Sequence, residues 1–365
     1  MGHVDAAFMD VLLQVAMPQL ASFNPQELAN TVFALATLGH NDAAFMDALL
    51  VAAESKLSSF NSQGLANTLW AVSKLGVDDA AFVGALLVVT ESKLRSFNSQ
   101  ELANTVWSLA TLGHNDAAFM GALLVVAEAK LPSFKPQELA NTAWALATLG
   151  HKDAAFMHAL LVVAESKLPS FTAQNLANSA WALAVLDVQN ATFVVALIQR
   201  VAASATDFSA TELSQLFQFM LWLDTWQFAA DVLPWLLTTC KQVWIEEIGN
   251  TIVSHTQLQV CDAVRQLPGC SGAISEHLTD DGLFSIDIAV QLPGGQKLAV
   301  EVDGPTHFLR NTPAVLNGAT HLRNRLLEAR GWCVVSVPVT EWGRQVAKGK
   351  QAVHDYLTTV LGLCG

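Results

Sequence analysis

Apolar residues recur along the first half of the chain in two alternating helical stripes, and the whole pattern repeats. Phe23, Phe60, Phe97, Phe134, Phe171 and Phe208 each fall 37 positions apart. Four units from Phe23 to Ser170 keep the pattern almost without drift. A fifth is looser, and a sixth retains Phe208, Glu212 and Leu213. Each unit predicts two helices. Asn24-Pro25-Gln26-Glu27 puts Pro at the first helical position and Glu at the third, the arrangement of a capping box, and Asn98 with Glu101 and Ser209 with Glu212 repeat it. Apolar positions 28, 32, 35 and 36 form the buried stripe, and Gly39 ends the helix. The second helix is expected to start near Asn41-Asp42 and run to Leu57. Units of this kind bury their apolar faces only against their neighbours, so residues 1–223 read as an α-solenoid. Gly2-His3-Val4-Asp5-Ala6-Ala7-Phe8-Met9 matches Gly39 to Met46, so the chain opens in the second half of a unit and an upstream segment is expected.

Polar columns run across the same units. Gln26, Asn30, Ala34 and Thr37 share one face of the first helix, and the columns continue as Gln63, Asn67, Ala71, Lys74, then Gln100, Asn104, Ser108, Thr111, then Gln137, Asn141, Ala145, Thr148. Amides flanked by small residues suit hydrogen bonds to base edges, one nucleotide per repeat. They equally suit an inter-repeat hydrogen-bond ladder that fixes the stack. The aromatic column Phe33, Trp70, Trp107, Trp144, Trp181 lies beside the Leu/Ala stripe and is expected in the core. Lys56, Lys93, Lys130 and Lys167 would either contact phosphates or cap helix C-termini. Histidines 3, 40, 114 and 151 fall in the inter-helix turn. Val77 and Val188 replace them elsewhere, which argues against a metal role.

After about Trp226 the period is lost, and 224–283 reads as a connecting segment. From Phe284 the pattern becomes strand-like. Phe284 to Gln291 alternates with period two, Pro293-Gly294-Gly295 supplies a turn, and Lys297 to Asp303 returns. A helix over 323–330, a buried strand over 333–338 and a closing helix over 345–361 complete a small α/β domain, 284–365.

Composition narrows the classes. Hydrophobic residues make up 52% and charged ones 14%, with a net charge of −13. That balance excludes a disordered tail, and no window has the roughly 18 apolar residues of a membrane span. Five cysteines without a C-x-x-C pair argue against a disulfide framework or a zinc site. No transit peptide is visible over Met1 to Asp10, which holds two acids and no Lys or Arg. Residues 1–207 hold 9 basic and 17 acidic side chains, whereas 284–365 hold 8 basic and 6 acidic. The C-terminal domain is thus the expected grip on a phosphate backbone, with Arg310, Arg323 and Arg325 as its contacts.

One constellation could carry chemistry. Asp287 on one strand and Glu301 and Asp303 at the end of the next could converge, with His307 four residues on. Hard oxygen ligands at Asp287 and Glu301 would suit Mg²⁺, which polarises a phosphodiester and activates water. The acid–hairpin–acid spacing resembles the restriction-endonuclease-like core, whose pattern is Asp, a gap, then Asp/Glu-x-Lys. Asp303 stands at the Lys position here, which removes the usual water-activating cation. A domain that binds RNA without cutting it is therefore preferred over a Mg²⁺-dependent endoribonuclease.

Ala299-Val-Glu-Val-Asp-Gly-Pro-Thr-His-Phe308, Gly318-Ala-Thr, Arg323 to Leu327, Gly331-Trp332, Val337-Pro338 and Glu341-Trp342 together resemble a RAP domain. That family occurs at the C-termini of organellar RNA-metabolism proteins, including the FAST-kinase-like group. The repeats, with Gln137 to Gly150 as type example, resemble octotricopeptide-related units of green algal and apicomplexan RNA-binding proteins. The resemblance implies binding of single-stranded mRNA or rRNA in a mitochondrion or chloroplast. The roles implied are processing, transcript stability, rRNA maturation or translation, in company with ribonucleoprotein components. A protein-interaction scaffold whose RAP domain alone touches RNA is the competing class.

Overall fold

The computed structural model describes residues 5–204, 208–228, 234–249 and 253–363. Gly2, His3 and Val4 of the expected opening half-unit, and Cys364, lie outside the described residues. The chain forms two compact units, Met1–Phe171 and Thr172–Gly365.

Unit 1 holds α1 (Ala6–Ala16), α2 (Pro25–Leu38), α3 (Ala43–Glu54), α4 (Ser62–Leu75), α5 (Ala80–Lys93), α6 (Ser99–Leu112), α7 (Ala117–Glu128), α8 (Pro136–Thr148) and α9 (Ala154–Lys167). The first helices α2, α4, α6 and α8 pack closely side by side, and α3, α5, α7 and α9 form a looser second layer. Local chemistry fixes every start. Asn24 and Asn98 accept from the Glu27 and Glu101 N–H groups at 2.9 Å, and the two glutamates accept in return from the asparagine N–H groups. Asp42, Asp79, Asp116 and Asp153 accept from the N–H groups of Phe45, Phe82, Phe119 and Phe156, which caps each second helix. Each such cap contributes about 1 kcal/mol. Gly39, Gly76 and Gly113 close the first helices at φ 65°, 65° and 63°, a left-handed conformation that disfavours a Cβ.

The second helix ends earlier than expected. α3 stops at Glu54, and a single 3₁₀ turn, Leu57–Ser59, follows. Lys56, beside that turn, neither caps its own helix nor faces solvent as a phosphate contact. Its ammonium donates to the carbonyls of Ala21 and Phe23 at 2.7 and 2.6 Å, one repeat back. Lys93 reaches Ser58 and Phe60 at 2.7 and 2.6 Å, Lys130 reaches Arg95 and Phe97, and Lys167 reaches Pro132 and Phe134. The rings of Phe60, Phe97 and Phe134 are almost fully buried. One residue in each repeat therefore supplies both an apolar anchor and a clamped carbonyl.

Unit 2 holds α10 (Ala173–Leu186), α11 (Ala191–Ala203), α12 (Ala210–Thr225), α13 (Pro234–Ile248), α14 (His255–Arg265), β1 (Ile274–Leu278), β2 (Ser285–Gln291), β3 (Lys297–Glu301), α15 (Gly318–Glu328), β4 (Trp332–Ser336), α16 (Val339–Lys348) and α17 (Lys350–Val360). The expected connecting segment 224–283 contains α13, α14 and β1. Because β1 pairs antiparallel with β2, the sheet begins at Ile274, upstream of the expected boundary at 284. Strand order is β1-β2-β3-β4, an antiparallel meander to which β4 is added parallel to β3 after the crossover helix α15. This is the expected small restriction-endonuclease-like architecture at the C-terminal side of a helical-repeat chain. Asn317 caps α15 by accepting from the Thr320 N–H, so the helix starts before the expected Arg323. The expected closing helix is two, α16 and α17, which are separated at Gly349 with φ 105°.

Period-two alternation divides the sheet's faces. Ile288, Val290, Leu298 and Val300 pack with Val260 and Val264 of α14, Trp342 of α16 and Leu357 of α17. Asp287 and Glu301 alternate with these residues and so lie on the opposite face. Cys240, Cys261, Cys270 and Cys333 are free thiols, and among the described residues no helix is long and apolar enough to cross a membrane.

Replacing Lys93 by Met keeps the aliphatic stem and removes the donors from two clamped carbonyls. The expected loss is about 2 kcal/mol in urea unfolding, because hydrogen bonds to charged groups are the stronger kind. Lys152→Met, at an exposed position, should change stability by less than about 0.5 kcal/mol. Equal effects would refute the clamp.

Candidate functional site

Two regions present chemistry. On the first-helix layer of unit 1, Gln26, Gln63, Gln100, Gln137 and Asn30 are exposed, while Asn67, Asn104 and Asn141 are half-buried. Among the described residues no side-chain hydrogen bond joins these four asparagines. A ladder does exist in unit 2, where Gln215 Nε2 donates to Asn178 Oδ1 at 3.2 Å and Trp181 Nε1 donates to Gln218 Oε1 at 3.2 Å. The ladder reading of the amide columns thus holds for Asn178 and Gln215 of unit 2.

The aromatic column is a correction to the sequence expectation. Trp181 is buried, but Phe33 is 37% exposed and Trp70, Trp107 and Trp144 are only half-buried. The reason is helical phase. Each aromatic lies three residues after the asparagine and seven after the glutamine, so it shares their face rather than that of the leucines. Phe33 and Trp70 pack ring to ring at 5.0 Å between centroids. Amides and aromatics therefore make one mixed surface.

The second region is the acidic face of the sheet. The β2–β3 register, Ile288 opposite Val300, brings Asp287 opposite Glu301 as expected. Asp287 accepts from the Val302 N–H at 2.8 Å and from Gln257 Nε2 at 3.3 Å. Glu301, 6% exposed, pairs with Arg323 Nη2 at 2.9 Å. Asp303 and His307 form a neighbouring pair at 3.2 Å, and the Asp303 carboxylate also accepts from the Ser336 hydroxyl. The Asp303 carboxylate is thus engaged by the His307 turn and by β4. Burial pushes Glu301 up to about 8; Arg323 pulls against that shift, while Asp287 and Asp303 add to it. Burial also raises Asp287.

These residues do not fit Mg²⁺. Both Asp287 oxygens accept from protein donors, and the Arg323 guanidinium holds the place beside Glu301 that a bound cation would take. Among the described residues no three His, Cys, Asp or Glu side chains are grouped to hold a metal. The expected metal pair Asp287–Glu301 and the catalytic set with Asp303 and His307 are better read as an internally hydrogen-bonded and ion-paired cluster with arginine as its cation. No hydrolytic step is derived from it.

Two of the expected RNA contacts are also internal. Arg323 donates to the Ser285 carbonyl at 2.6 Å besides pairing with Glu301. Arg325 donates to the carbonyls of Ala184 and Val185, and so caps the C-terminus of α10. Arg310 is exposed. The sequence reading missed Gln257, which bridges Glu276 and Asp287. It also missed Trp244, whose Nε1 donates to the Leu283 carbonyl at 2.7 Å. Ser254 with Gln257 is a capping box, and that signal could have placed Gln257 on the first turn of a helix. A cleft of about 540 Å³ lies among Trp244, Gln257, Asp287, Glu301, His307 and Arg323.

A carboxyl whose folded pKa is raised binds its proton more tightly in the folded chain, so its contribution falls as pH rises from the ordinary carboxylate range through the folded value. Unfolding free energy should accordingly fall by on the order of 2 kcal/mol between pH 5 and pH 8. Glu301→Gln should flatten that slope while the far-ultraviolet circular dichroism stays unchanged. A wild-type profile that is flat over this range would refute the assignment.

Comparison with known families agrees with this anatomy. A family model described as "Tbc2 translation factor, N-terminal domain" matches residues 1–114 and again 75–231, two placements that begin two repeats apart. A "RAP domain" model matches residues 300–360. A "RAP domain-containing protein, chloroplastic" of Oryza sativa subsp. japonica is 35% identical over 88 residues, which is 24% of this chain and 13% of that protein. The chain therefore spans only a small part of that relative's length. Its helical repeats place the chain in the Tbc2 translation factor N-terminal domain family, and a RAP domain follows them.

Proposed function

We propose that the chain binds single-stranded RNA along the first-helix layer of its repeats and serves organellar RNA metabolism, at the step of translation. The observation that carries this reading is the mixed surface of Phe33, Trp70, Trp107 and Trp144 beside exposed or half-buried glutamines and asparagines. Aromatic faces stack on unpaired bases, and amides pair with base edges. The charge distribution agrees with recognition through bases. Unit 1 is acidic and its four recurrent lysines are clamped to backbone carbonyls, which leaves few cations for phosphates. Translation is taken from the description of the matched repeat family, and an organellar setting, chloroplast or mitochondrion, from the chloroplastic RAP-domain relative. The RAP domain binds without cutting, because Arg323 holds the place beside Glu301 that a catalytic metal would need.

The scaffold alternative has an observation of its own. Val51, Val88, Val125 and Val162 form an exposed apolar column on the second-helix layer. The two readings use opposite layers and separate cleanly. Changing Trp70, Trp107 and Trp144 together to Leu should weaken binding of single-stranded RNA by at least tenfold, since stacking contributes about 1–3 kcal/mol per base. The salt dependence should be shallow, with fewer than about three phosphates neutralised. Unchanged affinity in the triple variant would overturn the RNA reading of this face and leave the valine layer as the partner surface.

A further inference from the structure

The cleft of unit 2 has a construction that strand binding along the repeats does not explain. Its volume of about 540 Å³ is that of a small-molecule site. Trp244 of α13 and Phe284, just ahead of β2, meet edge to face at 5.9 Å in its wall. The hydrogen bond from Trp244 Nε1 to Leu283 fixes the plane of the indole. Glu301 and Arg323 lie deeper. They pair through Oε2 and Nη2, yet Glu301 Oε1 and Arg323 Nη1 are both buried without a protein partner. Buried polar atoms are nearly always paired. An adjacent acceptor and donor left over at a cleft lined by aromatics therefore point to a ligand.

We infer that this cleft takes one unstacked nucleobase, guanine in preference to the other three, with Arg323 Nη1 donating to O6 and Glu301 Oε1 accepting from N1–H. The inference rests on the RNA-binding reading above, in that the base comes from the bound strand. A phosphate is disfavoured, since Glu247, Asp287 and Glu301 face a single Arg323 around the cleft. The same excess of acceptors selects among bases. Guanine carries two donor groups, N1–H and N2–H₂, beside one acceptor on its pairing edge. Adenine and cytosine carry one donor group there, and uracil carries one donor between two acceptors. With O6 on Arg323 and N1–H on Glu301, the second guanine donor has a carboxylate neighbour in Asp287. Trp244 supplies the stacking face.

Calorimetric titration of the full chain at pH 8.5, where Glu301 is ionised and its Oε1 is an acceptor, with guanosine, adenosine, cytidine and uridine, none of which carries a phosphate, tests the inference. Guanosine should bind at least tenfold more tightly than the others. Glu301→Gln and Trp244→Leu should each weaken it at least tenfold in protein that circular dichroism shows to be folded. If Glu301→Gln fails to fold, Trp244→Leu decides alone. Absence of nucleoside binding, equal affinity for all four, or undiminished guanosine binding by Trp244→Leu would each overturn the assignment. Single-stranded RNA bound by the wild type and lost in the Trp70, Trp107, Trp144 variant, without any guanosine binding, would sink the cleft and keep the repeat surface. Guanosine binding with no effect of the triple variant on RNA would do the reverse.

Discussion

Each repeat of unit 1 is tied to the one before it by a single ammonium group. An apolar stripe alone specifies burial but not register, because leucines and alanines pack acceptably at several offsets. The lysine after each second helix is directional. It must reach two carbonyls around the phenylalanine of the preceding unit, one of them 33 residues back and the other 35. The clamp falls where each second helix gives way to a 3₁₀ turn, and burial of the phenylalanine ring accounts for that residue's recurrence. The clamp also bears on what the unit can bind. Four of its few cations are turned inward, so the proposed RNA binding would draw its affinity from stacking and amide pairing on the first-helix layer.

A related substitution of internal for external charge recurs in the sheet domain. A nuclease-like core gathers carboxylates on one strand pair and needs a cation to hold them together. Here the cation is Arg323, which is part of the chain. It pairs with Glu301, is itself fixed by the Ser285 carbonyl, and keeps one nitrogen without a protein partner. A guanidinium stays protonated and cannot activate water, but it is a good hydrogen-bond donor.

Much of this was legible in the sequence where the signal is local. The capping boxes at Asn24 and Asn98, the left-handed Gly39 and the alternation across β2 and β3 follow from short-range chemistry and were found in place. The failures came from side chains whose partners lie far along the chain. Nothing near Lys56 announces Ala21 and Phe23 as its acceptors, and nothing near Arg325 announces Val185, 140 residues earlier. Counting positive charge over 284–365 treated Arg325 as available, although its guanidinium is held by the carbonyls of Ala184 and Val185. The aromatic column failed for a different reason. Its phase relative to Gln26 and Asn30 was readable, but hydrophobicity was allowed to outweigh helical geometry.

Arg325 carries the last consequence. α10 has no glycine at its C-terminal turn; Asp187 takes the left-handed position at φ 59° and accepts from Trp222 Nε1 at 2.7 Å. The carbonyls that a capping glycine would normally help to satisfy are free to be met from elsewhere, and Arg325 of α15 meets those of Ala184 and Val185. Asp187 adds a favourable charge beside the same guanidinium, which offsets part of the burial that lowers the arginine's pKa. The departure from the repeat consensus at one turn is thus what lets the sheet domain anchor on the helix. In unit 2 the end of the repeat pattern and the start of the RAP domain are joined by a polar contact. Cutting the chain at 284 would remove both β1 and the helix whose carbonyls Arg325 caps.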